Sequence, residues 1–259
     1  MIAKVLTVSA FDPGKGGKGG EGGVFTITNP EFIAAVFPKL PDAAFSAICS
    51  KSGDPSIGGW TASRADQVVE RLSSKGNNYV ACSSFYPGDD GSFKARKADF
   101  AACHFLMLDD LGTKVPLERL SAFDLSWLIE TSPGNHQGGI ILAEPLTDSV
   151  VAVRLLNAVI AAGLCDAGAT GPLSRWARLP VAINGKPKYK NDAGEPFHCR
   201  LVEWRPEKRY LPQEIVDGLQ LELAPVGRPK RETQPSSDDP RRMSSDASDV
   251  LSQGLGRIQ

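Results

Sequence analysis

The chain has 259 residues, 41% of them hydrophobic, so it can form one large domain or two small ones with a substantial core. Its formal net charge is −1, so any surface for nucleic acid must be a local basic patch. No stretch approaches the roughly 18 consecutive apolar residues of a membrane span, and the five cysteines include no CxxC. We therefore expect a cytoplasmic protein with no membrane partner, no zinc site and reduced, buried thiols.

The first elements in chain order are a strand with a turn, a glycine-rich loop and a short helix. Residues 1–13 read as the strand and turn, and residues 14–23 as a flexible loop. A phosphate-binding loop is the less favoured alternative for this segment, because GxxxxGK[ST] is absent. Asn29, with Pro30 at the first helical position, predicts a helix to about Phe37 with Asn29 as its N-cap.

Apolar periodicity and turn residues define the remaining elements. Helices are expected over 63–76, 116–123, 147–162 and 212–219, and strands over 79–85, 103–110, 126–131, 138–143 and 197–204. The strands on either side of the SPGN sequence should form a hairpin. Because helices and strands intermix without a regular βαβ rhythm, the sequence predicts an α+β fold with a largely antiparallel sheet.

The composition changes near residue 225, where apolar residues become rare and Ser, Pro and charges dominate. Such a segment buries too little surface to offset the entropy lost on ordering. We therefore expect one domain over 1–225 and a disordered linker or tail over 226–259.

The first constellation of polar residues is the pair Asp109 and Asp110, which ends an apolar strand. Two carboxylates this close repel, so each favours its protonated form unless a cation offsets the charge. Mg²⁺ or Mn²⁺ would do so, because hard cations prefer carboxylate oxygens. The alternative is a loop in which Asp109 caps a turn and Asp110 faces water.

The second constellation surrounds the SPGN turn. A tight Pro-Gly turn would present Ser132, Asn135, His136 and Gln137 at one end of the sheet. His136 could contact a phosphate or a metal-bound oxygen, which would make it a catalytic candidate. An ordinary exposed turn histidine is the alternative.

The third constellation begins with Arg175 and Arg178, which a helical turn would place on one face. Paired guanidinium groups suit triphosphate or nucleic-acid phosphates, and Asn184 and Lys186 follow close behind. Residues 175–209 hold nine Lys or Arg against four Asp or Glu. The aromatic residues of the same stretch offer stacking faces for bases: Trp176, Tyr189 and Trp204. A solvated basic surface is the alternative.

A weaker set consists of Asn78, Tyr79, Arg96 and Lys97. These side chains are candidates for contacts with ribose, base or phosphate. Turn-forming asparagines and surface charges explain them nearly as well.

Three motifs in order, LDDLGTK, ETSPGNHQ and RWARLPVAIN, resemble those of the archaeo-eukaryotic primase superfamily. The likeness is to its RepB-like branch of plasmids and phages, and it covers roughly residues 75–205. The resemblance implies a catalytic core with an RNA-recognition-motif-like antiparallel sheet and a small N-terminal α/β unit. The activity expected from it is that of a DNA primase or primase-polymerase using two-metal nucleotidyl transfer.

By this resemblance the aspartates bind metal, the SPGN turn lies beside the incoming nucleotide, and Arg175 and Arg178 approach its phosphates. The expected partners are single-stranded DNA template, nucleoside triphosphates and a replicative helicase reached through the tail. The sequence departs from the family pattern in three places. The aspartates are adjacent instead of Asp-x-Asp, Gln137 aligns with the motif histidine, and Asp166, the third metal candidate, is displaced from the usual aspartate position.

Two other functions stay open on the residues alone. The same fold could serve as a non-catalytic module that binds single-stranded DNA or a replication origin, which the displaced third carboxylate favours. A metal-dependent nuclease is less favoured, because no second acidic cluster stands with a lysine in the usual nuclease arrangement and the Arg-rich segment suits triphosphate better.

Overall fold

The computed structural model describes residues 27–165 and 172–224. The predictions for 1–13, 14–23, Asp166 and the tail over 226–259 lie outside the described residues. Within the described part, no helix is long and apolar enough to cross a membrane.

The fold is α+β and is dominated by one large sheet, as the sequence predicts. The strands are β1 (Phe45–Lys51), β2 (Ser63–Arg64), β3 (Asn77–Phe85), β4 (Phe100–Leu111), β5 (Trp127–Ser132), β6 (Asn135–Leu146), β7 (Trp176–Arg178), β8 (Ile183–Asn184), β9 (Phe197–His198), β10 (Arg200–Trp204) and β11 (Arg209–Tyr210). The α-helices are α1 (Asn29–Val36), α2 (Ala65–Val68), α3 (Ser149–Ala161) and α4 (Pro212–Gly218).

The main sheet has the strand order β10-β5-β6-β4-β3-β1-β2, with β7 added to β3 and β11 added to β6. Every pairing is antiparallel except that of β11 with β6. The N-terminal strands β1 and β2 therefore extend the same sheet through β3. The short strands β8 and β9 form a separate two-stranded ribbon.

Hydrophobic cores lie on both faces of the sheet. Successive residues of β4 supply the two cores in turn, because neighbouring side chains of a strand point to opposite faces. Leu106 joins Leu155 of α3 and Ile215 of α4 in one core. Phe105 joins Phe32 of α1 in the other. Burial on both faces explains why the sequence of β4 is almost continuously apolar.

Several predicted elements are confirmed, and others are shorter than predicted. The hairpin of β5 and β6 and the helix α3 are present, and the Asp148 side chain caps α3 by accepting from Val150 N at 2.8 Å. The helix predicted over 63–76 is wrong in length, since α2 covers four residues and only one 3-10 turn follows it. The helix predicted over 116–123 is a 3-10 turn at Leu117–Leu120.

The predicted N-cap of α1 is wrong by one residue. Thr28 is the N-cap, and it forms a capping box with Glu31. Asn29 is instead buried, where its side chain donates to Val181 O at 2.9 Å and accepts from Val181 N at 3.0 Å. Asn29 thus ties α1 to the segment between β7 and β8.

Candidate functional site

A cleft of about 500 Å³ lies where β4 ends, beside the β5–β6 turn and the segments after β7. Its walls combine the predicted acidic residues with part of the predicted basic stretch. The residues that line it are Asp109, Asp110, Thr113, Lys114, Thr131, Ser132, Pro133, Asn135, Gln137, Arg178, Asn184, Lys186, Lys188 and Tyr189. The acidic strand end and the basic segment therefore face one shared space.

A β-bulge brings both aspartates to this cleft. In the pairing of β4 with β6, Leu108 lies opposite Gly138 and Leu111 lies opposite His136, so β4 carries one extra residue. Asp110 has φ of +56°, in the left-handed region. Adjacent side chains of a regular strand would point to opposite faces. Because of the bulge, Asp109 and Asp110 line the same cleft without an intervening residue.

Asp109 is held by two hydrogen bonds at one oxygen. Its Oδ1 accepts from Asp110 N at 2.9 Å and from Gln137 Nε2 at 3.2 Å. Burial raises the pKa of the Asp109 carboxyl, although the hydrogen bond from the Asp110 backbone opposes that shift. A cation bound in the cleft would favour the ionised form of this carboxylate.

Asp110 is anchored within a tight turn. Its Oδ2 forms an ion pair with Lys114 Nζ at 2.7 Å, and its backbone oxygen accepts from Lys114 N at 3.0 Å. Asn135 Nδ2 approaches Asp110 Oδ1 at 3.4 Å, while Asn135 Oδ1 accepts from Thr113 Oγ1 at 2.7 Å. These contacts connect the bulge to the SPGN turn.

The buried side chain of Glu130 holds the SPGN turn in place. One carboxylate oxygen of Glu130 accepts from Gly134 N at 3.0 Å, and the other pairs with the Arg200 guanidinium. Ser132 is almost fully buried at the cleft wall, and a hydrogen bond with it lowers the pKa of Tyr189. Glu130 therefore sets the position of the turn that borders the cleft.

Arg178 forms part of the cleft wall and is 4% exposed. Its guanidinium donates to Ile183 O at 2.5 Å and to Asn184 Oδ1 at 3.0 Å. Its backbone N donates to Gln137 Oε1 at 2.9 Å. Gln137 thus bridges Asp109 and Arg178, which connects the acidic and basic sides of the wall.

The exposed positive charges of the cleft come from Lys114, which pairs with Asp110, and from Lys186 and Lys188. Sequence reasoning named Lys186 individually and Tyr189 as a stacking face for bases, but it counted Lys188 only within the basic stretch. Thr113 and Lys114 were missed as cleft residues. The sequence feature that could have identified Thr113 and Lys114 is their position directly after the aspartates, where a tight turn brings the chain back toward the strand.

The structure places two predicted residues of the central motifs outside the cleft lining. The helical turn expected at Arg175 and Arg178 is wrong, because residues 176–178 form strand β7 paired with β3. Arg175 is buried, and its guanidinium contacts Cys165 Sγ. His136 points away from Gln137 along β6, and its Nδ1 lies 3.3 Å from Leu111 O, against the bulge.

The weaker predicted set also lies apart from the cleft. Asn78 is fully buried and donates to Ser73 O at 2.8 Å and to Val181 O at 2.9 Å. It therefore ties the loop before β3 to the segment between β7 and β8. Arg96 forms an ion pair with Asp99 at 2.7 Å. The last two members are Tyr79, which is buried beneath the Arg178 guanidinium, and Lys97, which is exposed in a 3-10 turn.

The donor set of the cleft fits a hard divalent cation. Among residues 27–165 and 172–224, no group of three or more His, Cys, Asp or Glu converges on one point. Mg²⁺ in nucleotide-handling sites is commonly bound through one or two carboxylates together with substrate phosphates and water. Asp109 and Asp110 supply two carboxylates, and the amides of Asn135 and Gln137 lie beside them.

Comparison with protein-family models places the chain in a family. The model of the RepB DNA-primase N-terminal domain matches residues 88–224, which is more than half of the chain. The chain therefore belongs to the RepB DNA-primase family. No curated protein matches the chain.

Three solved structures are similar to the chain, and each similarity covers 73% of it. The first is the AEP domain of the cyanophage S-2L primase-polymerase, with 17% identity, a TM-score of 0.49 and 95% of that domain covered. The second is the primase RepB′, with 14% identity, a TM-score of 0.48 and 59% of that protein covered. The third is the catalytic domain of primase RepB′ in complex with initiator DNA, with 15% identity, a TM-score of 0.45 and 89% covered.

Proposed function

We propose that the chain is a DNA primase or primase-polymerase that joins nucleotides on a single-stranded DNA template. The observation that carries this proposal is the shared cleft, in which a bulge presents Asp109 and Asp110 opposite the basic residues Arg178, Lys186 and Lys188. Phosphoryl transfer depends mainly on positioning and on charge stabilisation, so it needs carboxylates for metal and cations for phosphates.

Asp109 and Asp110 would hold Mg²⁺ or Mn²⁺. When bound, such ions activate the attacking hydroxyl and stabilise the leaving pyrophosphate. Asp166 remains a predicted third ligand outside the described residues. The burial of Asp109 supports the proposal, because a carboxylate drawn out of water gains more from a nearby cation than an exposed one does.

The protein side chains have distinct proposed tasks around the triphosphate. Lys186 and Lys188 are exposed at the rim, so they neutralise incoming phosphates. Arg178 adds a fixed positive charge to the wall, while Gln137 orients the Asp109 carboxylate. His136 supports the bulge through its contact with Leu111 and acts as a positioning residue.

The remaining proposals concern organisation and partners. We propose that residues 1–225 form the catalytic domain and that 226–259 form a linker toward a replicative helicase. Nucleoside triphosphates and single-stranded DNA are the proposed ligands, within phage or plasmid replication.

The test is incubation with labelled nucleotides, single-stranded DNA and Mg²⁺ or Mn²⁺, followed by sizing of the products. We expect metal-dependent products from the unaltered protein and none from the double variant Asp109→Ala/Asp110→Ala, with unchanged circular dichroism. The matched control is Asp89→Ala/Asp90→Ala, an adjacent aspartate pair exposed outside the cleft, which should keep full activity. Full activity of the cleft variant would refute the assignment.

The second candidate is a module that binds single-stranded DNA without catalysis. It is favoured by one observation, that only two carboxylates of the described part of the chain line the cleft. In that case the protein would bind single-stranded DNA yet form no products with either metal. The incorporation assay above therefore separates the two functions.

A further inference from the structure

The loop between β1 and β2 holds an exposed tryptophan in a defined orientation. Trp60 is 49% exposed. Its ring stacks on Trp176 at 5.9 Å between centroids with an interplanar angle of 16°, and it meets Tyr79 edge-on at 4.8 Å. Lys51 Nζ lies 4.9 Å from the centre of the same ring. The four residues form what is called here the Trp60 platform.

The loop that carries Trp60 is held against the sheet by hydrogen bonds within the protein, without any ligand. Asn77, fully buried at the start of β3, donates to Lys51 O at 3.0 Å and to Gly53 O at 2.8 Å. The side-chain oxygen Oδ1 of Asn77 accepts from Gly185 N at 2.8 Å. A preformed aromatic face loses little conformational entropy when a planar ligand stacks on it.

The Trp60 platform adjoins the wall of the candidate active-site cleft through Arg178. The Arg178 guanidinium lines the cleft and lies 4.7 Å above the Tyr79 ring, which in turn contacts Trp60. The fastened loop also meets the cleft rim at Gly185, where an added Cβ would lie 2.0 Å from Gly53 O. Lys186, the next residue, lines the cleft.

We propose that the Trp60 platform stacks a base of the single-stranded DNA that enters the cleft. Aromatic faces beside cationic groups are the common means by which proteins bind single strands without reading sequence. Here Trp60 supplies the aromatic face, and Lys51 beside it supplies positive charge for the phosphates of the strand. The inference rests on the proposed function for its ligand, since it assigns the template to a surface beside that cleft.

The test compares two oligonucleotides with the same phosphates. One is fluorescently labelled dT20, and the other is a 20-mer of abasic sites. Stacking predicts that Trp60→Ala weakens binding of dT20 about tenfold, equivalent to about 1.4 kcal/mol, and leaves binding of the abasic strand unchanged. Trp60→Phe, which keeps an aromatic face, should recover most of the loss. Fluorescence anisotropy measures all the affinities.

The control is Tyr86→Ala, which removes another exposed aromatic residue just beyond the far end of β3 from Tyr79. It should not alter the affinity for either strand. If Trp60→Ala lowers the melting temperature, Trp60→Leu keeps an apolar cover over Tyr79 and must still show the dT20-specific loss. Equal affinities of the unaltered and Trp60→Ala proteins for dT20, or equal losses on both strands, would overturn the inference.

The same samples separate this inference from the proposed function. If the unaltered protein incorporates nucleotides but Trp60→Ala binds dT20 normally, the platform is wrong and the primase function stands. If Trp60→Ala loses dT20 selectively while the unaltered protein makes no product, the platform stands and the polymerising function is wrong.

Discussion

Gly112 lies where the turn after the β4 bulge meets the SPGN turn. A residue with a side chain at this position should push the two turns apart. Gly112 has φ of +85°, and a Cβ built on it would lie 2.5 Å from Gly134 O. The two turns would have to move apart by about 0.5 Å to relax that contact to 3.0 Å. A side chain at positive φ adds a cost of about 1–2 kcal/mol.

We therefore expect Gly112→Ala to destabilise the fold by about 2–4 kcal/mol, through backbone strain together with the contact between the turns. Activity should fall about tenfold or more, because a 1 Å misplacement at a reacting centre costs about 100-fold. Urea unfolding gives the stability, and the nucleotide incorporation assay gives the activity.

Gly91→Ala separates the two contributions. Gly91 also has positive φ, +75°, but nothing lies within 4 Å of an added Cβ, and the residue lies outside the cleft. This control should lose about 1–2 kcal/mol of stability and retain full activity. Full activity of Gly112→Ala would show that the close approach of the turns has no functional role. Equal losses of stability in the two variants would show that the contact with Gly134 O adds no cost.

Two further predictions concern buried ionisable groups. Burial lowers the pKa of His104 to about 4, so its neutral form favours folding, and about 3 kcal/mol of stability should be lost as pH falls from 6.5 to 4. The urea midpoint of His104→Gln should not show this loss of stability between pH 6.5 and 4. The same pH dependence of the midpoint in His104→Gln and in the unaltered protein would contradict the reasoning. Arg200→Ala should cost about 2–3 kcal/mol and Glu130→Gln only about 1, because the first leaves a buried carboxylate without its guanidinium. Equal urea midpoints would contradict this order.

The strands that border the cleft could be predicted because their sequences carry strong local signals. The apolar run before Asp109 and the SPGN turn define β4 and the hairpin, and both are present. Strand alternation also anticipates the orientation of the turn residues. Asn135 and Gln137 share the cleft side, while His136 lies on the other.

The bulge could not be predicted, because it depends on the register between β4 and β6 and on the conformation of one residue, Asp110. Sequence spacing alone therefore left open whether both aspartates face one metal site or whether Asp109 caps a turn and Asp110 faces water. The burial of Arg175 and Arg178 was missed for a related reason. Their environments come from Cys165 and Asn184, contacts that no local pattern encodes.

The Trp60 platform carried no sequence signal of comparable strength. Trp60 stands in a loop, and its partners Tyr79 and Trp176 lie on two strands that are distant in sequence but paired in the sheet. Only the pairing of β3 with β7 brings these rings together.

We propose that the bulge in β4 makes a single metal-binding site from two adjacent carboxylates. The most direct test is the anomalous difference map of a crystal containing Mn²⁺ and a non-hydrolysable nucleoside triphosphate. We expect a manganese peak coordinated by both Asp109 and Asp110, with the triphosphate extending toward Lys186. A peak bound by only one of these aspartates, or located outside the cleft, would contradict it.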